Sequence, residues 1–592
     1  MKKQVKRMLS LVLMVCMLAS MLVACVEGTN SKETTNSTQK ENEGTQGESQ
    51  EASTGAPSDA FEHDPLLNEL GKEPYVKEPV TITIGLKQNT NILSYDDNHY
   101  TKMMEELTGV NLEFVLFAGG DAQEKLNAMA MGNEKLPDII LWSMSDAQAM
   151  QWGEEGYIVP LEDYFEHSSL YSKENFERTK NELGLDIIDY LSTADGHLWQ
   201  FPQFTVSTTN AQTDRTWVYG PWLEKLGIEI PKTTEDFENM LIAFKTQDPN
   251  GNGKPDEIPL LGSSPVEAGK GSIFWQYIMN AFTQTTLKKD FLVSENGKLS
   301  LSYTKDEWKE GVKYIAGLVA EGLIDPVSYT QNQDSFVQIM NGSGDQIVGV
   351  FSYALPDFIA KDHPSRQEWI LLDPLTGPEG YCSTGYNQDA PKNSAFITTS
   401  CEHPEIAFRV LDTMCSEIFT ITNRWGKQGE NWDFVEDIKD DPRFADKDFS
   451  GTWMGYPALF YEYNSIWSQP GNAHWMNAGP AFRLAEVVSG YYACTLDPVN
   501  NAANYQLSQK LEAYEAVKPA EPITKIKFAN ADDQAEYDQL KNELKTYVYE
   551  KLALWSTGKA DVDAEWDAYL KELDRIGANR LLEIAQKGWK AE

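Results

Sequence analysis

The chain has 592 residues, with 50 Lys and Arg against 90 Asp and Glu and a formal charge of −40. Charge of that sign argues against nucleic acid and anionic membrane surfaces as partners, because both repel it. The Cys residues show no CxxC or Cys/His zinc spacing, so no metal–thiolate site is expected; Cys382, Cys401, Cys415 and Cys494 leave room for a disulfide but not for a disulfide framework.

The N-terminus carries Lys2, Lys3, Lys6 and Arg7 before an apolar run from Met8 to Ala24. A basic n-region followed by an apolar h-region is the secretory signature, and the run falls short of the roughly 20 residues a spanning helix needs. It stops at Leu22-Val23-Ala24-Cys25, which resembles the bacterial lipobox, where a signal peptidase cuts before a lipidated cysteine. Residues 1–24 are expected to be a signal peptide and Cys25 a diacylated anchor on the outer face of the cell membrane. Cleavage would leave 46 basic residues against 90 acidic ones, a mature charge of −44. Residues 25–75 carry the anchor and a stretch of Ser, Thr, Gly, Glu, Gln and Asn, which cannot bury enough apolar surface to order itself and reads as a disordered linker.

Val80–Leu86 alternates apolar and polar residues as a strand. A helix is predicted from Asp97 to a Gly109 cap, a strand over Val110–Phe117, a helix over Gln123–Met131 and a strand over Leu136–Trp142. Strand–helix alternation argues an α/β chain with a mostly parallel sheet, whose ligands sit beyond the carboxyl ends of the strands. A second series follows, with a strand near Thr216–Val218 and helices at Pro221–Leu226, Thr234–Thr246 and Lys305–Glu321. Further on come a strand over Ser394–Thr398, a helix over Glu405–Ser416 and a charged helical region over about 533–590.

Between two of these elements, Asp248, Asn250 and Asn252 place oxygen side chains at positions 1, 3 and 5 of a loop with Gly253 at position 6 and the Lys254 carbonyl at position 7, as in an EF-hand calcium loop. Position 12 is Pro259 rather than the usual bidentate Glu, so Asp256 and Glu257 would complete the shell. Calcium accepts six to eight oxygens in flexible geometry. A cation enclosed in this way is structural, since the shell leaves no reactive position.

Several ordered segments then carry a family resemblance: Leu107-Thr-Gly-Val110, Lys125-Leu-Asn-Ala-Met129 before Leu136-Pro-Asp-Ile-Ile140, Gly156-Tyr-Ile-Val-Pro-Leu-Glu-Asp163, Asp195-Gly-His-Leu-Trp-Gln-Phe-Pro202, Trp222-Leu-Glu-Lys-Leu-Gly-Ile228 and Glu321-Gly-Leu-Ile-Asp325. Over about residues 80–420 the chain resembles the extracellular solute-binding lipoproteins of bacterial ABC importers, carbohydrate-binding type, and its calcium-like loop resembles that of alginate-oligosaccharide binding proteins. The resemblance implies two discontinuous α/β lobes joined by a hinge and closing on ligand like a flytrap. The expected lobes are 76–212 plus 393–435 and 213–392 plus 436–592, with crossings near 205–218, 380–395 and 430–460. It also implies an oligosaccharide ligand, delivery to membrane permease subunits and action as a monomer.

Sugars offer an apolar face and a rim of hydroxyls, so aromatic platforms flanked by polar side chains are the candidates. Trp142 matches a sugar-contacting Trp in the maltodextrin-binding segment that Leu136–Trp142 resembles; where that segment has a carboxylate three residues on, this chain has Ser145, and Asp146 comes next. Trp199, Arg215, Trp217, Tyr353, Tyr386, Asn387, Trp432 and Trp453 complete the set. The competing readings are a surface glycoside hydrolase or polysaccharide lyase and a peptide receptor of the same fold. Against an enzyme stand the absence of GxSxG, HExxH and P-loop motifs and a complement of only 7 His.

Overall fold

The computed structural model describes residues 61–206, 215–264, 272–468 and 470–589. The expected signal peptide, Cys25 and most of the expected linker lie outside the described residues, as does the heart of the first expected crossing.

The first lobe starts from the strand Val80–Lys87, which buries Val80, Ile82, Ile84 and Leu86. The helix His99–Thr108 follows, opened by Asn98, whose side chain accepts from the Tyr100 amide at 3.0 Å, and closed by Gly109 at φ 74°. A left-handed residue at that point favours glycine. The chain then returns as Val110–Phe117, parallel to the first strand from Val80↔Val110 to Lys87↔Phe117. The predicted strand over 136–142 shrinks to Ile139–Ile140. Pro137 has no amide proton to give a ladder, and the Asp138 carboxylate takes the Thr83 amide (2.8 Å) and hydroxyl (2.7 Å) instead.

Six strands form this sheet, in the order Ala481–Arg483, Phe201–Thr205, Lys392–Ile397, Ile139–Ile140, Val80–Lys87, Val110–Phe117. The expectation of a mostly parallel sheet is corrected to a mixed one. Lys392–Ile397 runs antiparallel to both its neighbours because the chain re-enters this lobe from the other one. Its partner helix, Pro404–Thr413, is buried along most of its length. Glu405 at its start takes the Asp64 amide (2.6 Å) and the Ser168 hydroxyl (2.6 Å). Asp412 near its end accepts from the Leu170, Tyr171 and Ser172 amides and the Ser169 hydroxyl, at 2.7–3.0 Å, at the start of the helix Tyr171–Leu183.

The second lobe holds a four-stranded sheet in the order Trp369–Leu371, Thr216–Tyr219, Val348–Ser352, Ile258–Leu260, only its last pair parallel. Helix Thr234–Thr246 packs on its Ile258–Leu260 strand, and Asp306–Ala320 shares the same core. Thr233 and Asp236 form a reciprocal capping box at the start of the former, which fixes its boundary locally. A hairpin of Leu292–Glu295 and Lys298–Leu301 turns at Asn296 (φ 52°) and Gly297 (φ 74°), the positive pair of a type I′ turn. The expected C-terminal helical region divides into Ala531–Ser556, Val562–Ile576 and Ala578–Gly588. Their apolar residues, among them Leu544, Trp555, Trp566 and Leu581, share one core with Trp222, Trp275 and Trp308.

The assignment of all of 436–592 to the second lobe needs correction. Trp475 packs in the first core, and Ala481–Arg483 pairs in parallel with Phe201–Thr205. The chain therefore returns to the first lobe over about 475–484 and leaves it again before Ala502–Glu515, which packs on Trp369–Leu371. A further connection lies at the far C-terminal end: Lys525 meets Asp146 at 2.8 Å and donates to the Tyr190 carbonyl at 3.1 Å, while Lys527 meets Asp189 at 2.7 Å. All four cysteines after Cys25 are free thiols. No described helix is long and apolar enough to cross a membrane.

Candidate functional site

Phe201–Thr205 and Ala481–Arg483 end side by side, and antiparallel Lys392–Ile397 begins beside them. At this common edge, facing the second lobe, opens a cleft of about 660 Å³. Gln203, Thr205, Lys392, Asn477 and Arg483 line it from the first lobe, Lys288 and Lys289 from the second, and residues 387–390 from the segment between them. Arg424, Trp425, Tyr491 and Tyr492 also line it and continue into an adjoining cavity of about 500 Å³ with Gln367, Glu462, Trp467, Asn500 and Asn504.

Local structure fixes the key side chains. Arg424 and Trp425 end the helix Glu417–Trp425, where a cation complements the helix dipole, and Gly426 breaks it. The Arg424 guanidinium lies 5.2 Å from the Trp425 ring and 5.3 Å from the Trp467 ring. Trp425 in turn packs at 5.1 Å on Tyr491, whose hydroxyl donates to Glu462 at 3.0 Å. Burial pushes the Glu462 carboxyl up. Arg483 donates Nε to the Thr205 hydroxyl (3.0 Å) and Nη1 to Asn477 Oδ1 (2.6 Å). Asn477 is held at φ 63° beside Met476 at φ 53°, a strained pair of the kind found around ligand sites. Burial, reinforced by Arg424, pushes Arg483 down to about 9, and burial pushes Lys289 down to about 8.

Of the residues expected to hold ligand, Asn387 alone lines this cleft. Trp142 is 8% exposed and donates to Gln123 at 2.8 Å inside a first-lobe core; Trp199 donates to Asp195 at 2.9 Å in the same core. Asp146 pairs with Lys525 near a separate 350 Å³ cavity. Trp217 donates to the Tyr353 carbonyl at 2.9 Å, and Arg215, buried beside it, donates to the Ala354 carbonyl at 2.8 Å. Tyr353 packs edge-on against Phe358, and Tyr386 lies under the Lys518 ammonium at 5.5 Å. Trp432 is fully buried, donating to the Gly426 carbonyl at 2.6 Å, and Trp453 stacks on Tyr492 at 4.9 Å behind the cleft. The part-buried rings that line both cavities are Tyr491 and Tyr492, with the half-exposed Trp467 in the smaller one; Trp425 lines both from a buried cluster with Trp432 and Phe460 and is only 4% exposed. The Arg-Trp-Gly ending of an amphipathic helix was the one sequence signal for Trp425.

The calcium-like loop joins Thr234–Thr246 to Ile258–Leu260. Asp248, Gly251 and Gly253 take positive φ (46°, 77° and 71°). The Asp248 carboxylate accepts from the Gly251 and Gly253 amides at 3.0 Å each, while the Asn250 and Asn252 side chains donate to Asp256 at 3.0–3.2 Å. Among the described residues no three His, Cys, Asp and Glu side chains are grouped to hold a metal ion; the loop would draw on Asn amide and backbone oxygens as well. One oxygen here, Glu257 Oε1, is buried without a hydrogen-bond partner, as a cation-ligating carboxylate would be.

The profile of the bacterial extracellular solute-binding protein family matches residues 97–417, more than half of the chain. The chain belongs to that family. Among curated relatives, the fructooligosaccharide ABC transporter substrate-binding protein FusA of Streptococcus pneumoniae is 26% identical over 505 residues, 82% of this chain and 85% of FusA. FusA solved in complex with kestose superposes with a TM-score of 0.64 at 24% identity, covering 86% of this chain and 98% of that one; its EF-hand mutant with fructo-nystose gives the same figures. A human-milk-oligosaccharide-binding solute-binding protein associated with an ABC transporter, from Bifidobacterium longum infantis, gives 0.66 at 19% identity, with 86% and 98% covered. The solute-binding fold shared with these proteins is the two-lobed one described above.

Proposed function

We propose that this solute-binding protein captures an oligosaccharide in the cleft between its lobes and presents it to the permease of an ABC importer. The observation that carries the reading is the continuity of the two cavities. Phenol and indole rings at Tyr491, Tyr492 and Trp467 can take the apolar faces of sugar rings. Side-chain amides at Gln203, Gln367, Asn387, Asn477 and Asn504 stand where hydroxyls would be. Relatives that bind oligosaccharides for ABC transport support it. Ligand spanning both lobes would favour their closed arrangement by its greater affinity for it, and the closed form would be the one the permease meets. Cys25 would tether a monomer to the outer face of the membrane through its acyl chains.

Calcium belongs to the same proposal. Asp248, Asn250, Asn252, the Lys254 carbonyl, Asp256 and Glu257 would hold it, and the EF-hand of FusA is a parallel in a relative. Bound there, it would supply charge neutralisation that stiffens the turn. The loop's own hydrogen bonds, from the Gly251 and Gly253 amides to Asp248, shape the turn that leads into Ile258–Leu260 of the second sheet.

The test is isothermal titration with neutral and acidic oligosaccharides and short peptides, with product analysis after overnight incubation. Binding of a sugar that is recovered intact supports the proposal. Consumption of the sugar would make the protein an enzyme, and a response to peptides alone would remove the carbohydrate reading.

A further inference from the structure

The larger cavity has a charge that the whole chain conceals. In a protein of net charge −40, its walls carry Lys288, Lys289, Lys392, Arg424 and Arg483 against a single carboxylate, Asp389. Lys289, Lys392 and Arg483 make no ion pair with a carboxylate among the described residues, Asp290 acting on Lys289 only through its field; Lys289 donates to the Thr524 carbonyl at 3.1 Å and Arg483 to Thr205 and Asn477. Burial depresses the Lys392 ammonium and the Arg483 guanidinium, and neighbouring charge adds to it, Arg483 and Arg424 acting on Lys392 and Arg424 on Arg483. At about 8 and about 9, Lys289 and Arg483 remain protonated at neutral pH. Such crowding of like charges in a part-buried cleft is unfavourable until an anion enters, whereupon each cation supplies a charge-assisted hydrogen bond, the stronger kind. The adjoining cavity differs, with Asp357 and Glu462 balancing Arg366 and Arg424 beside aromatic rings and Asn amides.

We infer that the cargo is an anionic oligosaccharide, its carboxylate or sulfate held among Lys289, Lys392 and Arg483 while its sugar rings run along Tyr491 and Tyr492 towards Trp467. The inference rests on the oligosaccharide reading of this cleft and names the class of sugar. The acid group is what the larger cavity selects, and the ring faces are what the smaller one selects.

The experiment titrates the full chain, with calcium present, with trigalacturonate, its fully methyl-esterified form, a sulfated chondroitin disaccharide and neutral kestose. The ester keeps the rings and removes the charge. Expected is binding of at least one acidic sugar about tenfold or more tighter than kestose and the ester, weakening as NaCl rises from about 50 to about 500 mM. The variant Lys392→Gln, altered at a residue exposed to the cleft, should lose about fivefold or more of that affinity with its thermal midpoint unchanged. Preference for the uronate or for the sulfate identifies the acid group. Kestose or the ester binding as tightly as the acids would overturn the inference and leave the oligosaccharide reading standing. Binding of none of the four, or of acids equally well by Lys392→Gln, would overturn it as well, the former taking the oligosaccharide reading with it.

Discussion

Trp467→Ala separates a ligand platform from a core residue. Trp467 sits at the rim of the smaller cavity, 44% exposed, touching the Arg424 guanidinium through its ring. A Trp side chain presents up to about 250 Å², so about 110 Å² of indole surface is open to a ligand. A sugar ring laid on one face would cover about half of it, and about 55 Å² at about 25 cal/mol per Å² is about 1.4 kcal/mol. The expected result is a dissociation constant about tenfold higher, measured by titration with the tightest sugar found in the screen. Losing an exposed cation–π contact costs stability only about 0.5–1 kcal/mol, so the thermal midpoint should fall by no more than about 2 °C. Affinity within about twofold of the parent would refute the placement of sugar on this ring. A large fall in the midpoint would show instead that the ring serves the fold.

Asp412→Asn keeps shape but turns an amide nitrogen towards donors that the carboxylate accepts; since all four contacts are buried or part-buried, chemical denaturation should show about 3 kcal/mol lost, and a change under about 1 kcal/mol would contradict the accounting. Gly153→Ala would bring a Cβ within 2.3–2.6 Å of the Trp199 ring, so about 1–3 kcal/mol of destabilisation is expected by the same assay. His474 is buried, its ring held down to about 4 and its Nδ1 accepting the Met476 amide at 2.8 Å; being depressed, it contributes stability present above about 6.5 that is lost as pH falls towards about 4. The gap in unfolding free energy between the parent and His474→Gln should therefore narrow between pH 7 and pH 4, and a pH-independent gap would count against a neutral buried imidazole. Chelation of calcium should lower the thermal midpoint, and Glu257→Gln should blunt that response; equal midpoints with and without chelator would remove the cation from the loop.

What the sequence revealed is what short stretches of chain decide. The Gly109 end of one helix and the Thr234–Thr246 bounds of another each rest on neighbours a few residues away. Choosing which aromatic faces a ligand is a different problem. Trp467 is half-exposed at the smaller cavity, whereas Trp432 is sealed in because Trp432–Phe434 pairs with Phe460–Glu462, a contact no local pattern announces. The basic cleft was hidden for the same reason, since Lys289, Lys392, Arg424 and Arg483 meet only after the chain has passed between lobes, and total charge pointed the other way. The turn of 475–484 back into the first sheet was likewise invisible, because three residues of strand carry no periodicity to read.

Both cores also include chain from far towards the C-terminus: Trp475 and Phe482 in the first, Trp566 and Trp589 in the second. In N-to-C order of synthesis, neither lobe can bury its full apolar complement until most of the polypeptide has been made. Such an architecture delays its own completion, leaving a long interval in which the unfinished chain can still be threaded through a narrow passage.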